Sequence, residues 1–262
     1  MTSPRTNIQF RITQVNEVCL LIEFATVDSK LQSIDYKALN KTPISPHLCL
    51  AINHCKQRIL ELFAPQINDI VSAYQSLLIY FDLLTVGTEH FIQRLSAACT
   101  NALNENPQDT TLSKTIEIPV LYNEACGPDL KRVSEQNKLS IQDVIEQHCS
   151  HIYWVYALGF IPGFAYLGFV DKSLATPRLS TPRTSVPKGS VGIADTQTGV
   201  YPSASPGGWN IIGRSPTPLL HILPDQQTPQ PTLNIADRVK FRSIDESEFV
   251  ALGGSLDKAF VP

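Results

Sequence analysis

Residues 152–170 read IYWVYALGFIPGFAYLGFV, 19 uncharged residues in a row, seven of them aromatic. The length approaches the ~20 residues that a membrane helix needs, so the reading of this stretch decides the fold. Pro162-Gly163 stands at its centre and Gly159 and Gly168 flank that pair. Proline removes a backbone donor and glycine loosens the chain, so a turn belongs here rather than a continuous helix. The stretch therefore reads as two short buried segments joined by a loop, not as a membrane span.

Downstream the same grammar continues, with short apolar runs cut by Gly and Pro, as in a β-barrel or sandwich with long loops. Upstream, Ile116 to Leu121 reads as a strand. Short helices follow at about 128–136 and 140–149, the second with Ser140 as its N-cap and Asp143 three residues on. Asp245 starts a last short helix and Gly253 ends it.

The first hundred residues carry a different pattern. Ile8–Ile12 and Val18–Phe24 read as strands. Residues 47–63 have helical spacing and stop at Pro65. Ile70–Tyr74 and Leu77–Phe81 are strand-like, and Glu89–Leu103 places Phe91, Leu95, Ala98 and Ala102 on one helical face. The order β-β-α-β-β-α implies an α+β two-layer sandwich over residues 1–105. The polar, proline-bearing stretch at 106–115 reads as a linker, and 116–262 as a mainly β barrel domain.

Bulk composition excludes several functions. The 262 residues carry a net charge of −3 and no run of Lys or Arg that could follow a phosphate backbone, so nucleic acid is not an expected partner. No basic segment leads into an apolar one at the start, and the six cysteines include no C-x-x-C pair. A reducing, cytoplasmic setting is expected, with no metal. The standard nucleotide loops G-x-x-x-x-G-K-[ST] and G-x-G-x-x-G are absent, as is the G-x-S-x-G elbow.

The chemistry should lie in residues 159–218, which hold nine of the 13 glycines and eight of the 19 prolines. Glycine lets a backbone approach a ligand closely, and proline stiffens a loop before the ligand arrives. Lys172, Arg178, Arg183, Lys188 and Arg214 face one acid, Asp195, between 172 and 214. Arg178 and Arg183 each follow a proline, and a guanidinium fixed in this way can grip a carboxylate or a phosphate with two parallel hydrogen bonds. Gly207-Gly208, before Trp209, can form an anion nest or oxyanion hole. His148, near the end of a helix, is a candidate proton carrier or a partner of the helix dipole. Asp129 most simply serves the dipole at a helix start. Cys126, beside Gly127-Pro128, is the cysteine for which a nucleophilic role is hardest to dismiss.

With these residues in view, Gly159-Phe160-Ile161-Pro162-Gly163-Phe164-Ala165-Tyr166-Leu167-Gly168 resembles the GFxPGFxYLG signature of the B-type subunits of bacterial 5-oxoprolinase (the PxpB, KipI or allophanate hydrolase subunit 1 family). The similarity continues through Pro177-Arg178, Pro182-Arg183, Val186 to Ile193, Gln197 to Pro202 and Ser205 to Trp209, to Arg214. Gly127-Pro128-Asp129-Leu130 and His148 also fit. Two departures are Asn123 to Cys126, where the family is richer in glycine, and Ala236 before Asp237, where it often has Gly.

The resemblance implies a cyclophilin-like barrel. It also implies two partner chains, the C-type (KipA-type) and A-type subunits of 5-oxoprolinase. With them it implies conversion of 5-oxo-L-proline to L-glutamate with ATP bound at an interface or on a partner, this chain being inactive alone. In that setting Arg178 and Arg183 would hold the carboxylate, and the amides at Gly207-Gly208 would stabilise charge on the lactam oxygen. Phe164, Tyr166 and Trp209 would exclude water, His148 would move a proton, and Arg214 would meet a phosphoryl group. The resemblance also admits a KipI-like inhibitor of a sensor histidine kinase or a component of an allophanate-hydrolase-type enzyme. A prolyl isomerase is suggested by fold analogy alone.

Overall fold

The computed structural model describes residues 7–27, 44–105, 114–221 and 228–256. The chain divides into two compact units, Met1–Leu112 and Ser113–Pro262. Most of the expected linker, 106–113, lies outside the described residues, as does the polar stretch 28–43.

In the first unit, β1 (Asn7–Asn16) and β2 (Cys19–Val27) form an antiparallel hairpin with Phe10 opposite Phe24 and Ile12 opposite Ile22. Helix α1 (Pro46–Phe63) begins where Ser45 accepts a 3.2 Å hydrogen bond from the Leu48 N–H, with Pro46 in the first turn, where a missing donor costs nothing. It stops at the 3-10 turn containing Pro65. Strands β3 (Ile67–Ala73) and β4 (Ser76–Phe81) follow, then α2 (Thr88–Asn104). The strands run in the order β1-β2-β4-β3. Leu48, Ile52, Ile59 and Phe63 of α1 share one core with Phe91, Leu95, Ala98 and Ala102 of α2 and with Ile22, Phe24, Ile79 and Phe81 of the strands.

The second unit is a closed barrel. Its elements are β5 (Thr115–Leu121), α3 (Leu130–Asn137), α4 (Ile141–Ser150), β6 (Ile152–Leu158), β7 (Ala165–Gly168), β8 (Arg183–Val186), β9 (Ser190–Ala194) and β10 (Gln197–Val200), followed by β11 (Ser205–Gly207), β12 (Asn210–Arg214), β13 (Leu220–His221), β14 (Gln230–Pro231), β15 (Arg238–Ile244) and α5 (Glu246–Ala251). Seven strands pair around the ring in the order β6-β15-β5-β12-β9-β10-β7, and β7 returns to β6. All pairs are antiparallel except β5 with β15, where Ile118 stands beside Phe241. Ile118, Val155, Leu167, Val191, Ile193 and Phe241 fill the interior. The stretch 152–170 is thus a strand, a loop and a strand, and no helix among the described residues is long and apolar enough to cross a membrane. Ser140 and Asp143 close a capping box on α4, and Gly253, at φ 87°, stands just beyond α5.

His148 lies inside this unit. Its ring is fully buried and stacked on Phe241 at 4.4 Å. Both nitrogens are engaged, Nδ1 with the Tyr122 hydroxyl at 2.7 Å and Nε2 with the Thr198 hydroxyl at 2.9 Å. Burial, with a smaller push from His151, lowers its pKa to about 3, so the ring is neutral at ordinary pH. It neither offsets the α4 dipole as a cation nor reaches an open surface, and its contacts join α4 to the barrel wall.

Candidate active site: an aromatic cavity beside the barrel

A second, smaller cluster of buried side chains stands apart from the barrel interior, made by Phe164, Val186, Ala194, Tyr201, Trp209 and Ile211. Phe164 is its hub. It meets Tyr166, Tyr201, Trp209 and Phe160 edge-on, with centroids 5.0–5.5 Å apart and planes 69–89° apart. The β6–β7 connection places it there. Gly159 N–H donates to Phe164 O and Phe164 N–H to Ile161 O, which closes the loop on itself. Gly163, at φ 83°, turns the chain where a Cβ would press on Leu219 O at 3.0 Å. Gly199 lies under the Trp209 indole, where a Cβ would stand 3.4 Å from that ring and 3.2 Å from Phe164.

Above the cluster opens a cavity of about 250 Å³. Phe160, Phe164, Tyr166, Tyr201 and Trp209 give it aromatic walls, Pro182 and Pro206 to Gly208 its rim, and Arg178 its one charge. The backbone on both sides of Arg178 is tied down. Asn210 Nδ2 donates to Pro177 O at 2.9 Å, and Leu179 N–H donates to Gly208 O at 2.8 Å. The Arg178 side chain is more than half exposed, 5.9 Å from the Trp209 ring, with Asp195 3.8 Å away. A fixed backbone under an accessible guanidinium suits capture of a small anion.

The structure therefore brings together Phe164, Tyr166, Arg178, Gly207, Gly208 and Trp209, and leaves out three candidates. Arg183 spends its guanidinium on Asp129, with Nη1 and Nη2 each 2.8 Å from a carboxylate oxygen. The two-arginine clamp is thus reduced to Arg178. Arg214 is 5% exposed at the end of β12 and donates to Ser255 O at 3.1 Å. His148 is in the barrel interior, as described above.

The glycine pair also differs from expectation. Neither Gly207 nor Gly208 has positive φ, so the alternation that forms an anion nest is missing. Gly207 is needed for another reason: a Cβ there would collide with the Tyr201 hydroxyl. Gly208 has room for one, its nearest neighbour being Pro182 at 3.6 Å.

Asp129 does not cap its helix through its side chain. Besides holding Arg183, its Oδ2 accepts from the Ile211 N–H at 2.7 Å. Cys126 is buried, and burial pushes its thiol pKa up, away from the reactive thiolate. Among the described residues there is no cluster of His, Cys, Asp or Glu suited to a metal.

Tyr201 and Phe160 also line the cavity; both fall in stretches that carry the family resemblance, but neither is among the site residues expected from the sequence. Their position in the Gly/Pro-rich segment is the other clue, and it does not say which rings of that segment face inward.

Comparison with known proteins adds the lineage. The model of the carboxyltransferase domain, subdomain C and D, matches residues 10–232. The B subunit of 5-oxoprolinase from Bacillus subtilis is 40% identical over 195 residues, covering 71% of this chain and 80% of that protein. That of Haemophilus influenzae is 38% identical over 193 residues, covering 71% and 86%. Among solved structures, TTHA0988 superposes with a TM-score of 0.66 at 33% identity over 78% of this chain, which spans only 38% of that longer chain. The urea amidolyase of Kluyveromyces lactis, at 17% identity and a TM-score of 0.68, shares the fold over 96% of this chain and 16% of its own length.

Proposed function

The chain belongs to the family of 5-oxoprolinase B subunits, and on that footing we propose that it serves a 5-oxoprolinase complex by holding 5-oxo-L-proline in the aromatic cavity. The observation that carries this reading is the pairing of one tethered arginine with a wall of rings. 5-Oxo-L-proline is a small flat lactam with a carboxylate. Its ring fits against Phe164, Tyr166 and Trp209, and its carboxylate meets Arg178 at the mouth. Enclosure by these rings excludes water and strengthens the charged contact.

The same lining supports a reading in which other chains complete the site. It contains no carboxylate, histidine, lysine or cysteine, so it has no strong general base or nucleophile for opening a stable amide. In our reading those groups come from the A-type and C-type (KipA-type) partner chains, and this chain is inactive alone. A nucleoside triphosphate does not suit the cavity, where a single guanidinium would face several phosphate charges. ATP is accordingly assigned to a partner, and no step here passes through it. The second unit is read as a cyclophilin-like barrel carrying the substrate cavity on its flank, and the location as cytoplasmic.

The test is glutamate release from 5-oxo-L-proline and ATP by the complex reconstituted with all three chains. Charge-assisted hydrogen bonds contribute about 1.5–3 kcal/mol, so Arg178→Ala should raise KM at least tenfold. Unchanged kinetics in that variant would remove the cavity from this reading.

A further inference from the structure

Tyr201 follows β10 directly, and its ring is 1% exposed within the aromatic cluster. It stands edge-on to Phe164 at 5.4 Å and to Phe160 at 6.5 Å. Its hydroxyl extends to β11, and Gly207 lacks a side chain at the point where one would overlap that oxygen. A phenol has one proton to give. Among the described residues the Tyr201 hydroxyl donates no hydrogen bond, so its O–H is left for a guest in the cavity that the residue lines. Tyr201 and Gly207 both line the cavity.

We propose that Tyr201 reads the ring carbonyl of the guest, its O–H donating to the lactam oxygen while Arg178 takes the carboxylate. This rests on the reading of the cavity as the 5-oxo-L-proline site, and it supplies the selectivity that reading lacks. Burial raises the Tyr201 pKa to about 12, so the group keeps its proton at neutral pH and acts as a donor. Arg178 alone would accept any small cyclic acid. A buried neutral donor discriminates, because a guest without an acceptor leaves it unpaired. The cavity then selects a five-membered ring that carries a carboxylate and, across one ring atom, a carbonyl.

Two acids isolate that carbonyl: 3-oxocyclopentanecarboxylate, which keeps it in the same relation to the carboxylate, and cyclopentanecarboxylate, which lacks it. Calorimetric titration of the complex of this chain with its partner chains, without ATP, should show the keto acid binding about five- to tenfold tighter. In Tyr201→Phe the two acids should bind equally. Gly207→Ala, which displaces the hydroxyl, should have the same effect. The ratio of two affinities is insensitive to a general loosening of the fold, which would weaken both. A variant that keeps the keto preference overturns the role of Tyr201 and leaves the site assignment standing. Failure of wild-type complex to bind either acid, or of 5-oxo-L-proline to displace them, overturns both.

Discussion

The Arg183 guanidinium and the Asp129 carboxylate face each other through two hydrogen bonds of 2.8 Å, and Asp129 Oδ2 also accepts from the Ile211 N–H. The pair joins the start of α3, the β8–β11 ribbon and β12 at one point. Asp129 N–H returns a bond to Ile211 O, and Gly127 admits the Ile212 backbone where a Cβ would overlap it. Arg183 lies opposite Gly207 in the β8–β11 register. The salt bridge therefore fixes the rim of the cavity without entering it.

Removing one member of a largely buried pair leaves the other charge uncompensated, which costs about 3–5 kcal/mol. Asp129→Ala, which also strips the Ile211 N–H of its acceptor, should lower the unfolding free energy by about 3 kcal/mol in urea titrations. Arg183→Lys should lose about 1–2 kcal/mol, because an ammonium cannot match the fork. Arg178→Lys should leave stability within about 0.5 kcal/mol, since that side chain is largely solvated, while raising KM. Two arginines five residues apart thus give opposite phenotypes.

Phe164 supports four rings at once. Phe164→Ala should destabilise by about 3–5 kcal/mol through the void it leaves. Phe164→Leu keeps most of the volume, and its cost should be nearer 1–2 kcal/mol. In that variant substrate affinity should fall more than stability, because Trp209 and Tyr166 lose their edge-on support. Paired denaturation and substrate titrations measure both.

Ala236 has φ 71° and is buried before Asp237, whose carboxylate accepts from the Asn234 and Lys114 N–H groups. The left-handed region costs a residue with a Cβ about 1–2 kcal/mol, of which glycine's greater freedom when unfolded returns a part. Ala236→Gly should therefore stabilise the protein by about 0.5 kcal/mol, seen as a higher denaturant midpoint with unchanged slope.

His148 gives the stability curve a defined acid limb. Its folded pKa, lowered from 6.5 to about 3 by burial and then by His151, means that the unfolded chain binds a proton between these values and the folded one does not. Well above pH 6.5 the group is neutral in both states and contributes no pH dependence. As pH falls below that value, stability should drop by about 1.4 kcal/mol per unit on this account alone. His148→Gln should flatten the limb between pH 6.5 and 4.5 by about 2 kcal/mol relative to wild type.

Local signals in the sequence are enough to read 152–170 as two short buried segments joined by a loop. Pro162-Gly163 breaks any helix there regardless of what surrounds it. The Ser140 cap, the Pro65 stop and the helical faces of α1 and α2 are legible for the same reason, since turn chemistry and periodicity act over a few residues. The Gly/Pro-rich segment also points to the part of the chain that forms the cavity.

Which of its side chains do the work depends on contacts far apart in the chain. Pro177-Arg178 and Pro182-Arg183 are alike in sequence, yet one guanidinium opens on the cavity and the other meets a carboxylate 54 positions away. His148 reads as a proton carrier or a dipole partner until β15 lays Phe241 against it. Gly207 reads as a nest until Tyr201 places its hydroxyl there. Composition and spacing set which groups a segment carries; only closure of the barrel settles which are used up in holding it together and which are left facing a guest.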